Sequence, residues 1–145
     1  MDGYQVVFEH EVLFRDLDAM RHVNNVAYLA FMEDARVQYW NALRKDRDLK
    51  GINFILAEIT CRYLSPAHFG EILLIGIRAR NLGNKSFQFE YRMEEKESGR
   101  LITEGKSVQV MYDYKEQQTM PLDERLRDAA AALEQLTVEE LSNSE

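Results

Sequence analysis

The sequence is poor in the residues that hold small secreted proteins and metal centres together. It has one cysteine in 145 residues, which excludes an intramolecular disulfide and a cysteine-rich zinc site. Its 2 prolines and 7 glycines form no linker, and no repeat or low-complexity tract interrupts the chain. The length therefore predicts one domain, which is large enough to bury a core without a disulfide or metal staple.

Positive charge is also scarce. The chain has 18 Lys and Arg residues against 25 Asp and Glu residues, for a net charge of −7. Nucleic acids and anionic membranes bind clustered cations, so we expect neither as a partner. Much of the acid lies in residues 121–145, which carry seven acidic residues and two arginines. The first 120 residues are nearly balanced and remain open to a small anionic ligand.

Long apolar runs are missing too. The longest strongly apolar stretches cover about six residues, whereas a membrane helix needs roughly 20. The N-terminal segment has no cationic start and no apolar region typical of a secretion signal. We therefore expect no membrane association and a cytoplasmic location, where a lone thiol stays reduced.

Apolar and polar residues alternate along most of the chain, and a period of two predicts β-strands. The predicted strands cover residues 4–14, 54–64, 72–80, 87–93 and a last segment that includes Val108, Val110 and Tyr112. Short turns join the last four strands, which favours an antiparallel sheet. The segment ILLIGIRAR at 72–80 is apolar on both faces, which predicts a central strand covered on each side. We therefore expect the second face of the sheet to be covered as well, and self-association of the chain is the simplest way to cover it.

The period changes to three and four after Val23, which predicts a helix from about residue 25 to 45. Asn24 is its candidate N-cap, and the charged segment 45–51 follows as a loop. A second, acidic and alanine-rich helix is predicted after Pro121. The element order favours an α+β fold in which the antiparallel sheet buries the long helix on its concave face.

Polar residues concentrate between the first strand and the long helix, in the run FRDLDAMRHVNN at residues 14–25. One interpretation is a capped loop with charge pairs. The other uses the free N–H groups and the dipole of the helix start, which stabilise developing negative charge. A carboxylate or histidine just upstream could then attack a carbonyl or activate a water. That combination suits acyl transfer or ester hydrolysis.

The longer run FRDLDAMRHVNNVAYLAFMEDAR closely resembles the signature of the hotdog-fold acyl thioesterases, in the 4-hydroxybenzoyl-CoA thioesterase-like group. The resemblance covers roughly residues 5–115. It implies a hotdog fold, in which a five-stranded antiparallel sheet wraps a long central helix. The predicted domain is residues 1–120, with residues 121–145 as an acidic helical tail. The family also implies a homodimer with sites at the subunit interface, or a homotetramer.

The resemblance assigns a catalytic role to Asp18, as nucleophile or general base, and an oxyanion-binding role to the backbone N–H of Asn25. His22 matches a proposed catalytic histidine of the related plant acyl-ACP thioesterases, although Met20 stands where that run has an asparagine. The alternative role of His22 is to orient the loop. Asp16 is predicted to hold the loop rather than to react.

Candidate substrate-binding residues lie at two places: Asn24, Tyr28, Asn84, Lys85 and Ser86. In the family, basic residues in turns like that of Lys85 can meet the phosphates of coenzyme A. Asn24 could instead cap the helix, and Tyr28 could instead have a packing role. The alternative for the turn at residues 84–86 is that its side chains are simply solvated.

The resemblance thus predicts an acyl-CoA thioesterase that releases a free carboxylic acid and CoA. We expect no cofactor and no metal, since neither His10 nor His68 has metal-ligand spacing to a carboxylate. His10 falls on the apolar side of its strand and is predicted to be a hydrogen-bonded core or interface residue. The alternatives are an acyl-ACP thioesterase, which needs a basic rim for its acidic carrier, and a non-catalytic hotdog module that binds acyl groups.

Overall fold

An antiparallel sheet wraps around one long helix in the computed structural model, which describes residues 1–45 and 49–143. The elements in chain order are β1 (Val6–Glu11), a 3-10 helix (Phe14–Asp16), α1 (Asn25–Arg44), β2 (Phe54–Tyr63), β3 (Ile72–Arg80), β4 (Ser86–Glu95), β5 (Leu101–Asp113), β6 (Gln118–Thr119), α2 (Glu124–Glu134) and α3 (Val138–Ser142). The strand order is β1-β3-β4-β5-β2, and the short β6 pairs with β5. The predicted helix wrapped by an antiparallel sheet is confirmed.

Element boundaries differ in small ways from the prediction. β1 is shorter than residues 4–14 because its pairing with β3 ends at Glu11, after which the chain turns into the 3-10 helix. The two-residue β6 was not predicted. Residues 46–48 of the predicted loop and residues 144–145 of the tail lie outside the described residues.

The inward side of α1 is apolar and fully buried. Its residues recur at intervals of three and four, as an amphipathic helix requires: Tyr28, Phe31, Met32, Ala35, Tyr39 and Leu43. Gly105 lets the helix approach β5, because a Cβ there would clash with the methyl group of Met32 and lie 2.9 Å from the carbonyl oxygen of Thr60. In residues 1–45 and 49–143, no helix has the length and apolar character of a membrane span.

The outer face of the sheet is charged at its centre. Arg78 lies 2.8 Å from Glu90, and Arg92 lies 2.6 Å from Glu94, while the ring of Tyr4 stacks on the guanidinium of Arg78. The expectation of a second apolar face is therefore wrong for this region. The apolar run of β3 that suggested it ends before Arg78, so the strand is apolar on both sides only over residues 72–77.

The C-terminal segment, from residue 121 onward, packs against the rest of the domain. Leu122, Leu126, Ala129 and Leu141 are buried in the same hydrophobic core as α1 and the sheet. The residues on the two sides of the predicted boundary at residue 120 therefore share one hydrophobic core. The alanines of α2 are small enough to let it lie close to its neighbours, and it contacts both α1 and β3.

A buried carboxylate fastens α2 to the sheet. Glu134 accepts hydrogen bonds from the Tyr39 hydroxyl at 2.6 Å and from the Ala79 N–H at 2.9 Å, and Arg80 lies 3.3 Å away. The Ala79 N–H needs this acceptor because β1 pairs with β3 only as far as Ile77. Burial raises the pKa of Tyr39 well above its ordinary value, and the neighbouring negative charge of Glu134 raises it further. The phenol therefore stays protonated and donates its hydrogen to Glu134.

We predict that Glu134→Ala destabilises the protein by about 2–4 kcal/mol, because it leaves two buried donors and one partly buried cation without their acceptor. Glu134→Gln keeps an acceptor oxygen and should therefore lose less stability than Glu134→Ala. Urea unfolding at neutral pH measures the difference. Glu124→Ala is the matched control, since the Glu124 side chain is 85% exposed. Equal stability of the Glu134 and Glu124 variants would contradict the assigned role.

Candidate active site

The loop between β1 and α1 is held against the turn that precedes β3. Val12 donates to the carbonyl oxygen of Glu71 at 2.9 Å, and Val23 donates to that of Ala67 at 3.0 Å. Leu17 and Val23 also form an isolated β-bridge across the loop. Because both ends are fixed by backbone bonds, the side chains between them have defined positions.

Asp16 and His10 hold the loop internally. Oδ2 of Asp16 accepts the N–H of Leu13 at 2.9 Å and lies 2.8 Å from Nε2 of His10. The ring of His10 packs on Phe31 with a centroid distance of 4.2 Å. The carbonyl oxygen of Asp16 accepts the N–H of Asn24 at 2.8 Å. Both residues thus have the supporting role that the sequence predicts for them.

Asp18 and His22 lie at the two ends of a tight turn. The N–H of Asp18 donates to the carbonyl oxygen of His22 at 3.0 Å, and Arg21 between them has a left-handed backbone with φ of 65°. Oδ1 of Asp18 accepts the N–H of Met20 at 2.9 Å. Oδ2 of Asp18 has no hydrogen-bond partner in the part of the chain that the structure describes. The carboxylate is therefore oriented and keeps one oxygen free.

The first turn of α1 leaves one N–H group unused. Oδ1 of Asn24 accepts the N–H of Val26 at 3.0 Å, and the carbonyl oxygen of Asn24 accepts that of Ala27 at 2.9 Å. Asn24 is thus the N-cap, as predicted. The Asn25 N–H has no partner among residues 1–45 and 49–143, as expected of the first groups in a helix. The Tyr63 hydroxyl donates to the Asn25 carbonyl at 3.0 Å and fixes the helix start to β2.

A surface depression of about 230 Å³ opens at this helix start and is lined by His22, Val23, Asn25, Tyr28 and residues 63–66. The depression brings together three of the predicted site residues, His22, Asn25 and Tyr28. Asp18 does not line it, although the turn that contains Asp18 ends at His22. Tyr28 is only 3% exposed, and burial raises its pKa to about 12. Its phenol is therefore neutral and packs against the ring of Tyr63.

The turn with Asn84, Lys85 and Ser86 lies at the other end of the molecule. The carbonyl oxygen of Lys85 accepts the N–H of Met111 at 2.8 Å, and Met111 pairs with Phe54 at the start of β2. The depression lies at the end of β2, and the two ends of α1 are about 28 Å apart at 1.5 Å per residue. Within one chain, the structure does not bring this turn to Asp18, His22 and Asn25.

An ion pair between Arg100 and Glu71, called the clamp, holds the turn that lines one side of the depression. The sequence did not predict this pair. Nη2 of Arg100 donates to both carboxylate oxygens of Glu71 at 2.9 Å, and Nε of Arg100 donates to Ser65 at 3.0 Å. Glu71 also accepts the N–H of His68 at 2.7 Å, and the ring of His68 lies edge-on to that of His22 with centroids 5.2 Å apart. Arg100 and Glu71 are 29 residues apart, so no local pattern could pair them.

The electrostatics of this clamp favour an ionised Glu71. Burial raises the pKa of Glu71, but hydrogen bonds from Arg100 and from the backbone of His68 outweigh it, and the net pKa is lowered. An ionised Glu71 keeps Arg100 and the turn at residues 65–71 in place.

The family model of the thioesterase-like superfamily matches residues 12–130, which include the loop, the helix start and the strands β2 to β6. The chain belongs to this superfamily. It is 29% identical over 117 residues to the long-chain acyl-CoA thioesterase FadM from Escherichia coli (strain K12), covering 77% of this chain and 86% of that protein.

Solved structures of the superfamily have the same fold. A thioesterase from Thermus thermophilus, complexed with coenzyme A and Zn, is 32% identical with a TM-score of 0.82, covering 93% of this chain and 98% of the other. A thioesterase superfamily protein from Jannaschia sp. CCS1 is 26% identical with a TM-score of 0.78, covering 90% and 83%. The predicted hotdog fold and thioester hydrolase class are confirmed, and acyl-CoA thioesterase activity is supported.

We predict that Arg100→Met destabilises the protein at neutral pH by roughly 1–3 kcal/mol, since the partner of a partly buried carboxylate is lost. The lowered pKa of Glu71 means that this stabilisation is present above the ordinary pKa of 4.5 and is lost as the pH falls below it. Unfolding free energies measured from neutral to acidic pH should converge for the wild type and Arg100→Met. Arg62→Met is the control, because Arg62 is 74% exposed; a gap that stays constant with pH would count against the clamp.

Proposed function

We propose that this protein hydrolyses acyl-CoA thioesters at the loop between β1 and α1, using the Asp18 carboxylate and the Asn25 N–H. The unused N–H at the start of α1, open to a depression with His22 on its wall, is the observation that carries the proposal. An N–H in this position donates to a carbonyl oxygen as that oxygen becomes negative, and the helix dipole adds to the stabilisation.

Asp18 is the proposed attacking or activating group. As a nucleophile, its free oxygen would add to the thioester carbon, expel the thiolate of CoA and form a mixed anhydride that water then hydrolyses. As a general base, it would take a proton from the water that attacks the same carbon. Both routes give a free carboxylic acid and CoA, and both need one oriented carboxylate with a free oxygen.

Two neighbours complete the proposed site. His22 would assist proton transfer from the wall of the depression, and Tyr28 would supply a neutral phenol on the same wall. Asn24 already uses its side-chain oxygen as the helix cap, so its contribution to substrate binding would come from the amide nitrogen. The Tyr63 hydroxyl contributes indirectly, because it fixes the carbonyl of Asn25.

The site as proposed needs a second copy of the chain. In one chain the turn with Asn84, Lys85 and Ser86 lies far from Asp18, so its proposed contact with the phosphates of CoA requires a homodimer or homotetramer. β2 supports this arrangement: its one partner in the described sheet is β5, which leaves its other edge for pairing with a second copy.

Asp18→Asn should lower kcat for acyl-CoA hydrolysis by about 100- to 10,000-fold, because an amide neither attacks nor accepts the proton. The release of free thiol from CoA thioesters of short, long and aromatic acids measures the rate. Asp128→Asn makes the same charge change on α2, outside the site, and should retain wild-type activity. Full activity of Asp18→Asn would refute the assignment, and a wild type that binds acyl-CoA without turnover would favour a non-catalytic module.

The chain should have at least twice its monomer mass of 17.0 kDa in solution, since the proposed site combines two copies. Light scattering after size-exclusion chromatography at micromolar concentration measures this mass. Ala57→Pro in β2 should shift the mass toward the monomer and reduce activity with it, because proline blocks strand pairing. An active monomer would contradict a shared site.

A further inference from the structure

A second cavity lies in the same cleft as the candidate active site. α1 and β2 run side by side in opposite directions, with the depression at Asn25 and residues 63–66 at one end. At the other end, a cavity of about 460 Å³ opens between the second half of α1 and the start of β2. A substrate bound at the helix start and extended along α1 would reach this cavity.

The walls of this cavity are apolar and cationic. Val37, Trp40 and Phe54 provide apolar surface, and the charged groups are the guanidinium groups of Arg36 and Arg44 and the carboxylate of Glu33. Arg44 lies 6.0 Å from the centre of the Trp40 ring and donates to Asn41 at 3.0 Å. Cations outnumber anions among the lining groups, so the cavity favours an anionic ligand.

Arg36 is held in this cavity by a chain of buried hydrogen bonds. Nη1 of Arg36 donates to the Tyr91 hydroxyl at 3.1 Å, which lies 2.6 Å from Oγ of Ser107. Ser107 donates its one hydrogen to Gln109, so the Tyr91 hydroxyl must donate to Ser107. Gln109 in turn donates to the Phe87 carbonyl at 3.4 Å. Tyr91, Ser107 and Gln109 are each at most 1% exposed.

Arg36 and Arg44 differ from most arginines of the described chain in having no acidic partner. Other arginines lie within 4.0 Å of a carboxylate oxygen: Arg62, Arg78, Arg80, Arg92, Arg100, Arg125 and Arg127. Within residues 1–45 and 49–143, Arg36 contacts the neutral Tyr91 and Arg44 the neutral Asn41. A guanidinium that is oriented by buried groups, and whose charge is not compensated, is suited to bind an oxyanion of a ligand.

We propose that Arg36, with Arg44 on the wall of the same cavity, binds an oxyanion of the thioester substrate at this end of the cleft. The inference rests on the proposed function and extends it to substrate recognition. The oxyanion has two possible sources: a phosphate of CoA, or a carboxylate at the far end of the acyl group. Arg36 lies about 16 Å along α1 from Asn25, a distance that a pantetheine arm or an extended acyl chain spans.

Three thioesters distinguish the sources: a neutral acyl-CoA, the same acyl group on pantetheine, and an acyl-CoA of equal length that ends in a carboxylate. If Arg36 binds phosphate, Arg36→Gln should raise KM by roughly 10- to 100-fold for both CoA thioesters and leave the pantetheine thioester unchanged. If Arg36 binds the acyl carboxylate, KM should rise by that factor for the carboxylate-bearing substrate alone. Either result supports the proposal.

Lys106→Gln is the matched control, since it removes one positive charge from the outer face of the sheet, where the Lys106 side chain is 63% exposed. Tyr91→Phe keeps the charge of Arg36 but removes the group that orients it, and should give a smaller change with the same substrate dependence. Equal KM changes on all three thioesters, or none on any, would overturn the proposal. A wild type that hydrolyses no thioester would instead overturn the proposed function, and calorimetric titration of wild type and Arg36→Gln with CoA and a dicarboxylic acid would then test Arg36 without turnover.

Discussion

The proposed site depends on one constraint: the first N–H groups of α1 lack partners inside the helix. Asn24 satisfies two of them with its side chain and carbonyl, and the Asn25 N–H is left over. A free donor at a helix start costs little when it faces water, and it becomes useful when a carbonyl oxygen replaces the water. The fold exposes it at this point because the sheet covers only the apolar side of α1, while backbone hydrogen bonds hold the preceding loop to the turn at residues 65–71.

Three sets of buried or partly buried polar contacts each fix one element next to another. Glu134 fastens α2 to β3 and α1, and Glu71 with Arg100 fastens the turn behind the depression. The chain from Arg36 to Gln109 differs from both, because it ends in a guanidinium that has no acidic partner in the described residues. Buried hydrogen bonds of this kind are costly when broken, so the positions they define are held firmly. That firmness is what substrate orientation requires.

Local patterns were sufficient for a large part of the fold. Alternation and the change to a period of three and four located β1 and α1, and the cap at Asn24 and the supporting roles of Asp16 and His10 follow from contacts within a few residues. The resemblance to acyl thioesterases gave the fold and the class of activity.

The long-range contacts were not predictable, because their partners are far apart in sequence. Tyr39 and Glu134 are 95 residues apart, and Arg36 and Tyr91 are 55 apart. The charged centre of the outer sheet face was missed because the apolar run of β3 was extended past its actual end. The separation of the turn at Lys85 from the helix start also depends on strand direction, which composition does not encode.

The most direct test of the central claim is the amide proton of Asn25, observed by NMR during titration with a ketone analogue of acyl-CoA that cannot be hydrolysed. We predict a large downfield shift and slowed exchange for this proton, because it comes to donate to the oxygen of the bound carbonyl. An analogue that binds with its acyl carbonyl near Asp18 but leaves the Asn25 amide proton unshifted would contradict the account.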